Sequence, residues 1–186
     1  MNSVYIQSSS PVDNIITSPA ETSHRNRAKR AGTIQVVEFI LGNDMFAIDL
    51  FDTREVITQT EVTPLPNTPP YLKGIIDLRG SITTIIDLKD LMHISAESKG
   101  KKNSRIIVLD RSITSKPVGI LVDDVFSVTT YSQDDIDKEN TSARDTHRDI
   151  IGVIRKKTKS VGEKDKSDLV LWLDIRKMIE KIEADL

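Results

Sequence analysis

Cysteine is absent from the 186 residues, which excludes disulfides and thiolate metal sites. Aromatic residues make up only 4% of the chain, too few to lay out a row of stacking platforms for unpaired bases. Neither sign of charge prevails: 26 Lys and Arg stand against 28 Asp and Glu, a formal net charge of −2. No global field therefore draws the chain toward nucleic acid or an acidic lipid surface. No apolar run approaches the roughly 20 residues that a membrane-spanning helix needs. The N-terminus also lacks the apolar stretch of a secretory signal, so the expected compartment is the cytoplasm, with no direct membrane insertion.

Reaction signatures are missing as well. The sequence holds no Gly-rich phosphate loop, nucleophile elbow or kinase set. His24, His93 and His147 are far apart and lack ligand spacing. The run from Asp135 to Asn140 imitates a calcium loop, but Asn140 replaces the turn glycine and Thr146 the bidentate glutamate. Lys99-Gly100-Lys101-Lys102 and Arg155-Lys156-Lys157-Thr158-Lys159 have no interleaved aromatic, and Glu163, Asp165 and Asp168 follow the second. Both read as solvated loops. The expectation is a chain that is not an enzyme, with no catalytic residue, cofactor or metal. A nucleic-acid-binding module and a small-molecule hydrolase are the disfavoured readings from other classes.

Residues 1–31 are rich in Ser, Thr, Pro and Asn and cannot bury enough apolar surface to offset ordering, so a disordered tail is expected there. The folded domain is expected over residues 32–186. Ile34–Ile40 and Met45–Ile48 read as strands joined at Gly42-Asn43-Asp44. Asp49–Val56 reads as a short helical turn or an irregular strand. The organising stretch is Asn67–Leu91. Thr68-Pro69-Pro70 cannot continue a helix. Ile75-Ile76 and Ile82–Ile86 are β-branched strand candidates around the turn Asp77–Ser81, which puts Arg79 at an exposed tip. Asp87 is placed to cap a helical turn over Leu88–Met92. Farther on, Arg105–Leu109, Val118–Val122, Ile150–Ile154 and Leu169–Leu173 read as strands. Asp174 opens a C-terminal helix with Ile175, Met178, Ile179 and Ile182 on one face. Trp172 reads as core.

The two halves share a pattern. Phe46–Leu50 aligns with Val118–Val122, Gly74-Ile75-Ile76 with Gly152-Val153-Ile154, and Ile86-Asp87-Leu88 with Leu173-Asp174-Ile175, at 72, 78 and 87 positions on. An internal duplication predicts a mainly β fold of two small antiparallel barrels, about five strands each, with closure removing aggregation-prone edges.

Phe46-Ala47-Ile48-Asp49, Arg54-Glu55-Val56, Asn67-Thr68-Pro69, Lys73-Gly74 and Leu78-Arg79-Gly80 together resemble the CheW family, as does Ile106–Leu109 followed by Val118–Val125. The resemblance runs from about Thr33 to Ile182. It implies two packed SH3-like five-stranded barrels and no catalysis. It further implies a chemotaxis adaptor, localised at receptor arrays, that couples the histidine kinase CheA, through its regulatory domain, to the helical tip of chemoreceptors. A CheW-like scaffold of another receptor–kinase pathway is the alternative. The matching receptor-contact positions are Thr53, Glu55, Gly74 and Arg79, with Asp77 beside them. Two positions depart from the family pattern: Asp77 replaces the usual Asn and is placed to hold the Arg79 guanidinium, and Thr84 replaces a common Pro.

Overall fold

The computed structural model describes residues 32–95, 104–138, 149–157 and 167–185. The expected tail, the Lys99–Lys102 loop, His24, His147 and most of the loop from Arg155 to Asp168 lie outside them. The strands are β1 (Thr33–Leu41), β2 (Asp44–Asp49), β3 (Thr53–Thr58), β4 (Leu72–Leu78), β5 (Ser81–Asp87), β6 (Arg105–Leu109), β7 (Val118–Val122), β8 (Asp124–Ser132), β9 (Ile136–Asp137), β10 (Ile150–Lys157) and β11 (Ser167–Leu173). A 3-10 turn at Leu50–Asp52, a helical turn at Leu88–Leu91 (α1) and a helix at Ile175–Asp185 (α2) complete the described elements apart from a second 3-10 turn at Gln133–Asp135.

The strands form a six-stranded sheet in the order β8-β1-β2-β11-β10-β9 and a five-stranded sheet in the order β3-β6-β7-β5-β4. These are the two SH3-like units, called barrel one and barrel two below. Two features differ from the sequence expectation. One pair in each sheet is parallel, β2 with β11 and β5 with β7. Each barrel also mixes both halves of the chain: the β1–β2 hairpin joins β8–β11, and the β6–β7 hairpin joins β3–β5. Parallel partners need a long crossover, and local patterning does not say which distant strand will supply the other edge.

The duplication holds at the level of register. Leu72 pairs with Ile86 and Ile150 with Leu173, each pair beside a bulge that brings in Gly74 or Gly152. Phe46 lies opposite Leu171 and Val118 opposite Thr84 in the two parallel pairs. Thr53 and Glu55 flank a bulge opposite Leu109 and Val108, as Val125 and Ser127 do opposite Phe39 and Glu38. The Asp87 N–H donates to Tyr71 O and the Asp174 N–H to Asp149 O, both at 2.7 Å. Each of those aspartates then caps a helix, Asp87 accepting from the Lys89 and Asp90 N–H groups and Asp174 from that of Lys177.

The largest core lies between the barrels. Phe39, Phe46, Ile48, Ile86, Leu88, Ile107, Ile120 and Leu173 meet there, and α2 adds Ile175, Met178, Ile179 and Ile182, the stripe expected from the sequence. Within barrel one, Val36, Ala47, Ile154, Val170 and Trp172 pack around Tyr131. Within barrel two, Ile76, Ile85, Ile106 and Val108 form a cluster of their own. Arg176 of α2 grips Asp52, its Nε 3.0 Å from Oδ1, and thereby fixes the 3-10 turn from which β3 departs.

Candidate protein-interaction site

Asp49 caps the 3-10 turn by accepting the Phe51 N–H at 2.9 Å, and the chain emerges as β3 with Thr53 first. The Thr53 hydroxyl is buried and has no hydrogen-bond partner. A bulge between Thr53 and Glu55 re-aims the strand, a common use of that irregularity.

On β4, Gly74 has φ 138°, where only glycine is comfortable. A Cβ there would lie 2.0 Å from the Thr63 carbonyl oxygen. The close approach lets Thr63 and Ile75 exchange N–H···O bonds, both at 2.9 Å. Gly74 thus shapes the backbone beside the candidate contact residues; what crosses it in this structure is Thr63.

The β4–β5 hairpin closes on Arg79-Gly80, since Leu78 pairs with Ser81. Their φ values are 53° and 83°, the left-handed pair of a type I′ turn, which usually carries Asn-Gly. A left-handed arginine costs roughly 1–2 kcal/mol, and the tight turn imposes it here. The Asp77 Oδ1 accepts the Gly80 N–H at 2.6 Å. Asp77 therefore holds the turn backbone and not the guanidinium, contrary to the expectation from sequence. The guanidinium instead reaches Glu55 of β3, Nη2 to Oε2 3.3 Å, with the Arg79 side chain 77% exposed. Because β3 and β4 are the two ends of the sheet order, this contact spans the curled sheet.

Glu55, Arg54 and Arg79 line a notch of about 190 Å³ together with Leu78, Val108 and Arg111. The β6–β7 connection supplies Arg111 and Pro117 to its wall. The Thr84 N–H donates to the Pro117 carbonyl at 3.0 Å, a bond that a proline at position 84 could not make. The structure thus brings Glu55, Arg79 and, through the turn, Asp77 together. Thr53 begins the same strand as Glu55, and Gly74 stands apart under Thr63. Arg111 lines the notch as well, and no spacing signal in the sequence marks it. Arg54 was visible only as a neighbour of Glu55.

The equivalent described positions of barrel one carry side chains that bond to one another. Glu38 takes the place of Val108, Lys156 that of Leu78, Ser127 that of Glu55 and Phe126 that of Arg54, by the matched registers. Glu38 is 0% exposed. It accepts from Ser127 Oγ at 2.8 Å, from Lys156 Nζ at 2.9 Å and from the Tyr131 hydroxyl. Burial pushes the Glu38 carboxyl up, but the Tyr131, Lys156 and Ser127 donors outweigh it and leave the group below its ordinary value. Burial and the adjacent carboxylate together raise the Tyr131 phenol. Lys156 Nζ also sits 4.8 Å from the Phe126 ring centroid, a cation–π distance.

Among the described residues no cluster of His, Asp or Glu could hold a metal ion, and no helix is long and apolar enough to cross a membrane.

Comparison with known proteins places the chain in a family. The family model described as the CheW-like domain matches residues 35–183. The chain is 30% identical over 148 residues to the chemotaxis protein CheW of Thermotoga maritima, covering 80% of this chain and 89% of that one. It is 30% identical over 117 residues to the chemotaxis protein CheW of Rhizobium meliloti, covering 63% of this chain and 74% of that one. The crystal structure of the scaffolding protein TtCheW from Thermoanaerobacter tengcongensis superposes with a TM-score of 0.62 at 29% identity, covering 78% of this chain and 86% of that one.

Proposed function

The chain belongs to the CheW-like domain family, and on that premise we propose that it is a non-enzymatic chemotaxis adaptor acting in the cytoplasm at receptor arrays. It couples the CheA kinase, through that protein's regulatory domain, to the helical tip of chemoreceptors. The receptor contact lies on barrel two, at Thr53, Glu55 and Arg79, with Gly74 and Asp77 maintaining the backbone that presents them. The observation carrying this reading is Arg79: exposed, strained at φ 53°, and tethered to Glu55 across the curled sheet. Such a residue contributes a directed charge at a rim, which sets register and partner choice more than raw affinity.

Titration of the intact chain with the CheA regulatory domain and with a receptor-tip fragment tests the reading. Saturable binding to both is expected, and Arg79→Ala should weaken the receptor arm alone while circular dichroism stays that of the wild type. Binding to neither partner at ~100 μM, about −5.5 kcal/mol, would remove the adaptor role.

A further inference from the structure

The notch on barrel two carries more positive charge than its own carboxylate can neutralise. Arg54, Arg79 and Arg111 line it together with one acid, Glu55. Glu55 lies 3.3 Å from Arg79 and 3.9 Å from Arg54, so its two oxygens are already directed at those two guanidiniums. Arg111 faces the same space from the β6–β7 connection. Leu78, Val108 and Leu109 supply apolar wall to the notch, beside the hydroxyl-bearing Ser81 and Thr83. At about 190 Å³ the notch falls below the roughly 300–1,000 Å³ of a site for a free small molecule.

Barrel one shows what the same backbone holds when that position is filled. There an ammonium and a carboxylate, Lys156 and Glu38, meet inside the sheet at 2.9 Å, in the places that Leu78 and Val108 occupy in barrel two. At these positions barrel one pairs a buried carboxylate with an ammonium, whereas barrel two sets apolar side chains beside a notch rimmed by guanidinium.

We propose that this notch receives an aspartate or glutamate side chain of the receptor segment docked on barrel two, with Arg111 and Arg79 clasping its carboxylate and Arg54 adding charge at the rim. The inference rests on the adaptor reading and deepens it by specifying what the partner must present. Guanidinium suits the task, because its planar fork matches a carboxylate bidentately.

The test uses the full chain and a receptor-tip fragment at two salt concentrations. Arg111→Glu should weaken binding at least tenfold and flatten its salt dependence, whereas Arg111→Lys should lose less. Replacing the fragment's acidic residues by Lys one at a time should identify one whose loss is rescued by Arg111→Glu or Arg79→Glu and by no charge reversal outside the notch. If Arg111→Glu and Arg54→Glu bind like the wild type while Arg79→Ala is weakened, the carboxylate notch is overturned and the adaptor reading stands. A wild-type chain that binds no fragment overturns both.

Discussion

At the end of barrel one, Glu38, Ser127, Tyr131 and Lys156 meet inside the sheet, whereas at the matching end of barrel two Val108, Glu55 and Leu78 border a notch open to solvent. The backbone registers are the same, including the bulges and the glycine that follows one of them. A duplicated scaffold thus carries two different sets of side chains at matching positions. In barrel one, polar groups turned inward fasten β8 and β10 to β1. In barrel two, Val108 and Leu78 stand in the places of Glu38 and Lys156, and the charged groups, Glu55 with Arg79 and Arg54, lie at the rim.

Stability measurements can break that comparison, and the largest effect should come from Glu38. Glu38→Ala leaves the Tyr131 hydroxyl and Lys156 without their buried acceptor, and we expect a loss of about 3–5 kcal/mol in urea unfolding, the range for breaking a buried pair. Glu55→Ala, at the matching rim, should cost under about 1 kcal/mol, as exposed pairs do. Equal losses would show that the two ends are not differently used. The pH dependence of stability gives a second readout at Glu38. The Glu38 value is depressed by its donors, so its contribution is complete above the ordinary 4.5 and is lost as pH falls through the lower folded value. Glu38→Gln should therefore show a flatter stability profile than the wild type below that pH.

The paired glycines sharpen the comparison next. Alanine at Gly74 would put a Cβ 2.0 Å from the Thr63 carbonyl oxygen, a backbone atom, at a φ of 138°; combined strain and overpacking should cost about 3 kcal/mol or more. At Gly152 the nearest atom is the Ile136 Cγ2 at 2.9 Å, a side chain, with the Asp137 carbonyl oxygen at 3.1 Å, and a loss of about 1–2 kcal/mol is expected. Thermal unfolding of both variants decides whether barrel two depends more tightly on its glycine.

The smallest effect should be at the turn. Arg79→Asn places a residue that tolerates the left-handed region at φ 53°, and we expect unchanged stability or a gain of up to about 1 kcal/mol. Receptor binding should weaken all the same. A variant that is both less stable and fully binding would make Arg79 a structural residue.

Much of the fold was legible because it rests on local chemistry. The β-branched runs at Ile82–Ile86 and Ile106–Val108, the Asp87 and Asp174 caps and the α2 stripe each specify their element from adjacent residues. The longest omission was β8, whose Val125, Val128, Thr129, Thr130 and Tyr131 carry ordinary strand signals. The exchange of hairpins between barrels was not legible, because β2 and β11 stand near opposite ends of the chain. The duplication, by contrast, was readable from three short matches, and register confirms all three. At the candidate site, Glu55 and Arg79 could be named from the family resemblance. Their contact across the sheet, the attachment of Asp77 to Gly80 and the presence of Arg111 depend on curvature that no stretch of sequence expresses.

The most direct test of the division between barrels is a backbone amide NMR titration of the intact chain with a receptor-tip fragment. Shifts are expected to gather at Thr53, Glu55, Arg79 and Arg111, while their barrel-one counterparts around Val125, Ser127 and Lys156 stay in place. Shifts centred on barrel one, with Arg79 and Arg111 unmoved, would contradict it.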